Sequence, residues 1–177
     1  MATRSLPRWP RREKVNPTMS DWRAHLVDDD AGLTAILREA RTVAVLGAKA
    51  DPAEPAHYVP AYLVARGYRI QPVNPKLAGR PLHGALTVAR LKDLSEPADV
   101  IEIFRRPEYL PGHADEILTL AWRPTAVWFQ LGITNAAAAE KLARAGIHVV
   151  QDRCMMPEHR RLLKAGVSRQ GGVERGA

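Results

Sequence analysis

The sequence predicts an α/β fold: a doubly wound, mainly parallel five-stranded sheet with helices on both faces. Three observations predict it. Five apolar, strand-like runs begin at residues 43, 69, 100, 126 and 147, so successive starts lie 26, 31, 26 and 21 residues apart, the spacing of strand–helix–strand units. Segments with apolar residues at helical spacing fill most of the gaps. Four of the five runs are apolar on both faces, as strands covered on two sides by helices must be.

The elements follow in order. Leu33, Ile36, Leu37 and Ala40 form one apolar helix face, and Val43-Ala44-Val45-Leu46 is a continuous apolar run ending at Gly47. Val59, Tyr62, Leu63 and Arg66 share a second helix face, closed by Gly67 at the position where helices end in a left-handed residue. The run 69–73 alternates more and contains Pro72, which places it at a sheet edge or puts the proline at its end. The run 100–104 precedes Pro107 and Pro111, which suit helix entry rather than helix interior. Ala114, Ile117, Leu118 and Ala121 give a third helix. Then come the run 126–129, a helix carrying Ala139, Leu142 and Ala143, Gly146 as its stop, and the run 147–150. Strands alternating with helices in this way imply a Rossmann-like arrangement.

The chain has 177 residues, enough for one core of ordinary size without staples. With one cysteine, Cys154, a disulfide framework is excluded. No apolar run approaches a membrane span, and the basic N-terminus has no apolar signal region, so a cytoplasmic protein without membrane contact is expected. The net charge of +7 is unevenly distributed. Residues 1–27 carry six Lys/Arg against two acids, residues 164–177 three against one, and the middle 17 against 16. No nucleic-acid partner is therefore expected for the folded core. Residues 1–27 read as a basic, Pro-containing tail, 28–164 as the domain, and 165–177 as a Gly-rich tail expected to lack fixed structure. Translation from Met19 instead of Met1 is an open alternative.

In a doubly wound sheet, ligands bind beyond the carboxyl ends of the strands. Those ends carry Lys49, Lys76, Arg105 and Arg106, with Arg153 as a fifth cation. Each is an ordinary solvated loop charge when taken alone, but their convergence on one sheet edge suits an anionic ligand. The first loop departs from the dinucleotide fingerprint, because no second or third glycine follows Gly47 in the G-x-G-x-x-G pattern. The second strand ends in Asn74-Pro75-Lys76, where an NAD site usually has a carboxylate for the ribose diol. An amide and a lysine there suit a ribose that bears a phosphate, as in NADP or in coenzyme A with its 3′-phosphate.

Six strings now stand in one order: Val45-Leu46-Gly47-Ala48, Pro55-Ala56-His57-Tyr58-Val59-Pro60, Pro72-Val73-Asn74-Pro75-Lys76, Ile103-Phe104-Arg105-Arg106-Pro107, Trp128-Phe129-Gln130-Leu131-Gly132 and Asp152-Arg153-Cys154. In this the chain resembles the small bacterial CoA-binding protein family over about residues 30–163. That family is itself similar to the CoA-binding domain of the succinyl-CoA synthetase alpha subunit and of ADP-forming acyl-CoA ligases. The resemblance implies a Rossmann-like fold and a CoA or acyl-CoA ligand, held by a carrier or sensor without established catalysis. Carried over residue by residue, it implies that Gly47, Ala48, Lys49, His57 and Tyr58 form the phosphate-side loop and helix start. It puts Val73, Asn74 and Lys76 around the adenosine, with Lys76 near the 3′-phosphate, and Phe104, Arg105 and Arg106 on the rim. The competing readings are core packing for Val73 and Phe104 and a turn residue before proline for Asn74. The synthetase's phosphorylated histidine lies in a second domain for which this chain has no room, so the ligase activity is not carried over.

Other constellations are weaker. The histidines at 25, 57, 83, 113, 148 and 159 show no metal-site spacing, and no Gly-x-Ser-x-Gly motif occurs. No catalytic residue and no metal ligand is assigned. Cys154 reads as a buried, inert thiol; the alternative is that Arg153 beside it lowers its pKa and makes it reactive toward a CoA thiol or an oxidant. Asp152 is expected in a structural ion pair. The rival to CoA is an NADP- or NAD-binding domain with a redox-linked role. Oligomeric state and pathway are not legible.

Overall fold

The computed structural model describes residues 21–163. Expectations about residues 1–20 and 164–177 lie outside the described residues. The strands are β1 (Thr42–Leu46), β2 (Arg69–Val73), β3 (Pro81–Leu82), β4 (Ala85–Leu86), β5 (Val100–Ile103), β6 (Ala126–Phe129) and β7 (His148–Val150). The helices are α1 (Asp30–Glu39), α2 (Pro55–Val64), α3 (Leu110–Thr119), α4 (Ala136–Arg144) and α5 (Met155–Leu162).

Five strands form one parallel sheet in the order β2-β1-β5-β6-β7, and β3 and β4 form a separate short hairpin. Parallel strands bury both faces, so each strand alternates between two apolar layers. Ala44, Leu46, Ile101, Ile103, Val127, Phe129 and Val149 face the layer that contains α3 and α4. Val43, Val45, Val100, Trp128 and Val150 face the layer that contains α1, α2 and α5. This is the doubly wound sheet the sequence predicts, with helices on both faces.

Local chemistry sets the element ends. Asn135 and Asp29 cap α4 and α1 through side-chain oxygens that accept from Ala138 N and Gly32 N. Gly67 and Gly146 follow their helices at φ +91° and +78°, the left-handed stop read from the sequence. β2 is an edge strand. Its Arg69 N–H and Val73 C=O point to β1 and its neighbour, while the Pro72 carbonyl points outward and accepts from Val88 N at 3.0 Å. Pro72 thus stands where its missing N–H faces away from the sheet.

Two features differ from the sequence expectation. Residues 21–27 fall in the stretch read as tail, yet Trp22 packs against the core beside α4 and Leu26 bridges Val149 of β7. Val27 N–H donates to Val149 C=O at 2.9 Å, so this segment covers the far edge of the sheet. The helix α5 was not anticipated. It buries Met155 and His159 against the α1/α2 layer while its outer face is polar.

Candidate functional site at the carboxyl edge of the sheet

The strand order reverses between β1 and β5, because the chain runs outward from β1 to β2 and then returns to the other side. At such a switch point the loops part in opposite directions and leave a crevice. Gly47 ends β1 there with φ +92°. Its N–H donates to Val73 C=O at 2.9 Å, and a Cβ on it would come within 2.6 Å of the Phe104 carbonyl oxygen and 3.0 Å of Arg105 Cδ. Only glycine meets both the left-handed turn and the close approach of β5.

The loop after Gly47 is tied down from two sides. Pro60 inside α2 has no N–H to give the Ala56 carbonyl, and that carbonyl instead accepts from Lys49 N at 3.2 Å. His57 Nδ1 meets the Lys49 carbonyl at 3.0 Å. From the β2 side, Asn74 Nδ2 donates to the buried Ala48 carbonyl at 2.8 Å. The Asn74 Oδ1 accepts from Lys76 N at 2.9 Å, and the Asn74 N–H donates to Val88 C=O. Asn74 therefore acts as the clamp between loop and edge strand, in addition to the turn role read from the sequence. It holds Lys76 in the turn Pro75–Leu77, exposed and with no carboxylate partner among the described residues.

A cavity of about 170 Å³ opens at the switch point. Gly47, Val73, Asn74 and Arg105 line it, so four of the sequence-selected residues meet at one cavity. Ala48, at 0% exposure, belongs to the α1/α2 layer of the core, and Phe104 is half-buried against that same layer. Lys49 is exposed at the mouth of the loop; Tyr58 is exposed on the first turn of α2. Arg105 lies over the Tyr109 ring at 5.3 Å, and Arg106 is exposed, 3.9 Å from Glu108.

Three further lining residues escape sequence reasoning: Arg90, His113 and Glu116. His113 and Glu116 sit one turn apart on α3, with His113 Nδ1 3.4 Å from Glu116 Oε2. That bond, with help from Leu91 N–H and Arg90, holds the Glu116 carboxyl below its ordinary range. The i, i+3 spacing was the available signal. His83 is a fourth. It adopts φ +54° in the β3–β4 turn and brings its ring to 4.7 Å from His57. Burial, then the neighbouring His57, pushes the His83 pKa down.

The far end of the same edge is built differently. Arg153 does not join the cations: its guanidinium reaches Glu158 at 3.3 Å and the Asp28 carbonyl at 2.9 Å. Its backbone carbonyl accepts from Trp128 Nε1 at 2.7 Å. Asp152 is left-handed at φ +53° and accepts from Gly132 N at 2.6 Å, in place of the expected ion pair. Cys154 is half-buried, and burial raises its thiol pKa, as the inert-thiol reading expects and against activation by Arg153. Beneath it Gln130 Nε2 donates to Glu102 Oε1 at 2.6 Å. Glu102 is fully buried, and desolvation pushes its carboxyl up to about 8. Among the described residues no group of three or more His, Cys, Asp or Glu is placed to hold a metal, and no helix is long and apolar enough to cross a membrane.

Comparison with known proteins agrees with this architecture. A solved structure described as cell-free ID.343 from Thermus thermophilus is 50% identical, covers 76% of this chain and 99% of its own, and superimposes with a TM-score of 0.73. A hypothetical protein from Pyrococcus horikoshii OT3 is 29% identical over 86% of this chain and 99% of its own, with a TM-score of 0.71. The uncharacterized protein YneT of Bacillus subtilis (strain 168) is 33% identical over 129 residues, 73% of this chain and 93% of that one. The family model described as a CoA binding domain matches residues 41–160, which span β1 to α5 and every residue of the switch-point cleft, and the chain belongs to that CoA-binding domain family.

Proposed function

We propose that the protein binds coenzyme A or an acyl-CoA across the carboxyl edge of its sheet, as a carrier or sensor of that ligand. The adenosine end lies over β1, β2 and β5, and the pantetheine arm runs toward β6 and β7. One observation carries this reading: the switch-point cleft at Gly47 has Asn74 and Lys76 at its β2 rim, with no carboxylate at the end of that strand, and Lys49 and Arg105 beside it. Cations that stay hydrated until a phosphate arrives lose little by being unpaired, and each then forms a charge-assisted bond. The 3′-phosphate of CoA is the natural partner of Lys76, because the ribose of a nucleotide in this fold lies at the end of the second strand. The family membership supports the ligand class.

Calorimetric titration of wild type and Lys76→Ala with CoA and with 3′-dephospho-CoA tests it. A charge-assisted bond of about 1.5–3 kcal/mol predicts a roughly ten- to hundredfold loss of CoA affinity. The loss for dephospho-CoA is expected to be much smaller. Equal losses for both ligands overturn the 3′-phosphate assignment. A melting-temperature rise with NADP and none with CoA overturns the ligand itself and favours the redox-linked dinucleotide reading.

A further inference from the structure

We propose that the outer edge of β2 is a docking site for an extended, basic segment of a partner protein, which pairs with Ile70 through one residue and sets a cation against the carboxylates of the 93–96 loop. The site stands apart from the ligand reading above. Its groove, of about 610 Å³, shares no lining residue with the switch-point cleft.

The backbone supplies the first argument. Arg69 N–H donates to Arg41 C=O and Val73 C=O accepts from Gly47 N, so residues 69, 71 and 73 turn their N–H and C=O groups toward β1. Ile70 and Pro72 turn theirs outward. Pro72 has no N–H, and its carbonyl is bonded to Val88 N. What is left is the Ile70 N–H and C=O, which have no backbone partner among the described residues. In an antiparallel hydrogen-bonded pair, one residue of an incoming strand exchanges both bonds with one residue of the edge. A single open position thus suits a short contact, of about three residues centred on the one that pairs.

The side chains supply the second argument. Ile70 belongs to the α1/α2 layer, whereas Gln71 stands in register with Ala44 and so lies on the α3/α4 face. Because strand side chains alternate, the neighbours of the pairing residue project to the Gln71 side. Gln71 is 8% exposed; its Nε2 donates to the Glu96 carbonyl at 3.1 Å, and its Oε1 is buried without a hydrogen-bond partner. Asp93 and Glu96 line the same groove. Each carboxylate has one arginine partner, Arg90 for Asp93 and Arg69 for Glu96, and keeps oxygen lone pairs for a further donor. Arg69 is the one Lys or Arg in the lining, and it is committed to Glu96 at 2.8 Å and to Thr42 Oγ1 at 2.9 Å. A lysine or arginine arriving here meets acceptors, while an acidic side chain meets no uncommitted cation. The chain as a whole carries +7, so this preference is local and opposes the overall charge. Leu86, 67% exposed, adds apolar surface to the groove for the pairing residue.

Proton–nitrogen NMR of the full chain reads the contact residue by residue. The probe is the capped tripeptide acetyl-Lys-Val-Lys-amide, titrated at low salt. The controls are acetyl-Glu-Val-Glu-amide and the lysine peptide with an N-methylated valine, which keeps both charges but cannot donate from the pairing residue. The expected result is saturable movement of the Ile70 amide and Gln71 side-chain amide signals, with both controls at least about tenfold weaker. Glu96→Gln alters an exposed side chain, removes a carboxylate and releases Arg69. In that variant the preference for the lysine peptide over the glutamate peptide should fall several-fold. An Ile70 signal that does not move, or an N-methylated peptide that binds as well, overturns the strand pairing. A glutamate peptide that binds as well, or an unchanged preference in Glu96→Gln, overturns the basic partner.

Discussion

The two ends of one sheet edge solve the problem of polar groups in opposite ways. Over β1 and β2 the polar side chains are open to water: Lys49 and Lys76 are exposed, and the one side chain that must be exact, Asn74, has all its polar atoms committed to backbone. Over β5, β6 and β7 the polar side chains are sealed, with Gln130 bonded to Glu102 and the Arg153 guanidinium drawn away to Glu158 and the Asp28 carbonyl. The difference teaches where charge can be kept. Exposed cations remain ionised at small cost, whereas a buried carboxyl lowers its cost by holding a proton. The open end suits the anionic part of a ligand and the closed end suits a part without charge.

Substitutions at four positions sharpen or break this contrast. The largest effect is expected from Gly47→Val, which adds a β-branched side chain at φ +92° against the Phe104 carbonyl. It should destabilise the protein by about 3 kcal/mol or more and remove CoA binding with it. Urea unfolding and calorimetry read both, and a variant that keeps wild-type stability refutes the strain argument.

Glu102→Gln should act in the other direction. The folded carboxyl at about 8 lies above its ordinary 4.5, so between these values the native state holds a proton that the unfolded state has lost. Wild-type stability therefore falls as pH rises from about 4.5 to about 8 and levels off above. Glutamine mimics the protonated acid and still accepts from Gln130. The variant should match wild type near pH 4 and be more stable above pH 8, by on the order of a few kcal/mol. A wild-type stability curve without that decline sinks the assignment.

Asn74→Ala is next. It removes the bond to the Ala48 carbonyl and the bond from Lys76 N, and the expected loss is about 1–2 kcal/mol of stability with weaker CoA binding. Asn74→Asp separates the two bonds, since it keeps the acceptor for Lys76 N and loses the donor to Ala48. The smallest effect is expected from Arg106→Ala. This side chain is exposed, and its one carboxylate neighbour is 3.9 Å away, so stability should change by less than about 0.5 kcal/mol. Any loss of CoA affinity should be small and should shrink in added salt.

What was legible in the sequence follows from periodicity. The five parallel strands and α1 to α4 declare themselves because apolar residues must recur on the buried faces, and Gly67 and Gly146 because helices end in a left-handed residue. The β3–β4 hairpin did not, since strands of two residues have no period. Nor did α5, whose run Pro157-Glu158-His159-Arg160-Arg161 is polar around the buried Met155 and His159. Of the site, Gly47, Val73, Asn74 and Arg105 could be placed together because they end strands that meet at one edge. Arg153 could not be read correctly: its partner at the Asp28 carbonyl is 125 residues away, and a charge at a strand end does not reveal which way its guanidinium turns. Glu102 was hidden for a different reason. It sits within an apolar run, and only the fold shows that both faces of its strand are covered.

Pro72 has one more consequence. Along β2, the residues that face away from β1 are the ones that would pair with a further strand, and at the second of them the donor is missing while the carbonyl is already taken by Val88. A second molecule approaching this edge finds the Ile70 backbone groups and no continuing ladder. The same proline that marks the strand as peripheral thus prevents the sheet from growing between molecules, and it does so while the chain is still folding, before any ligand is present to cover the edge.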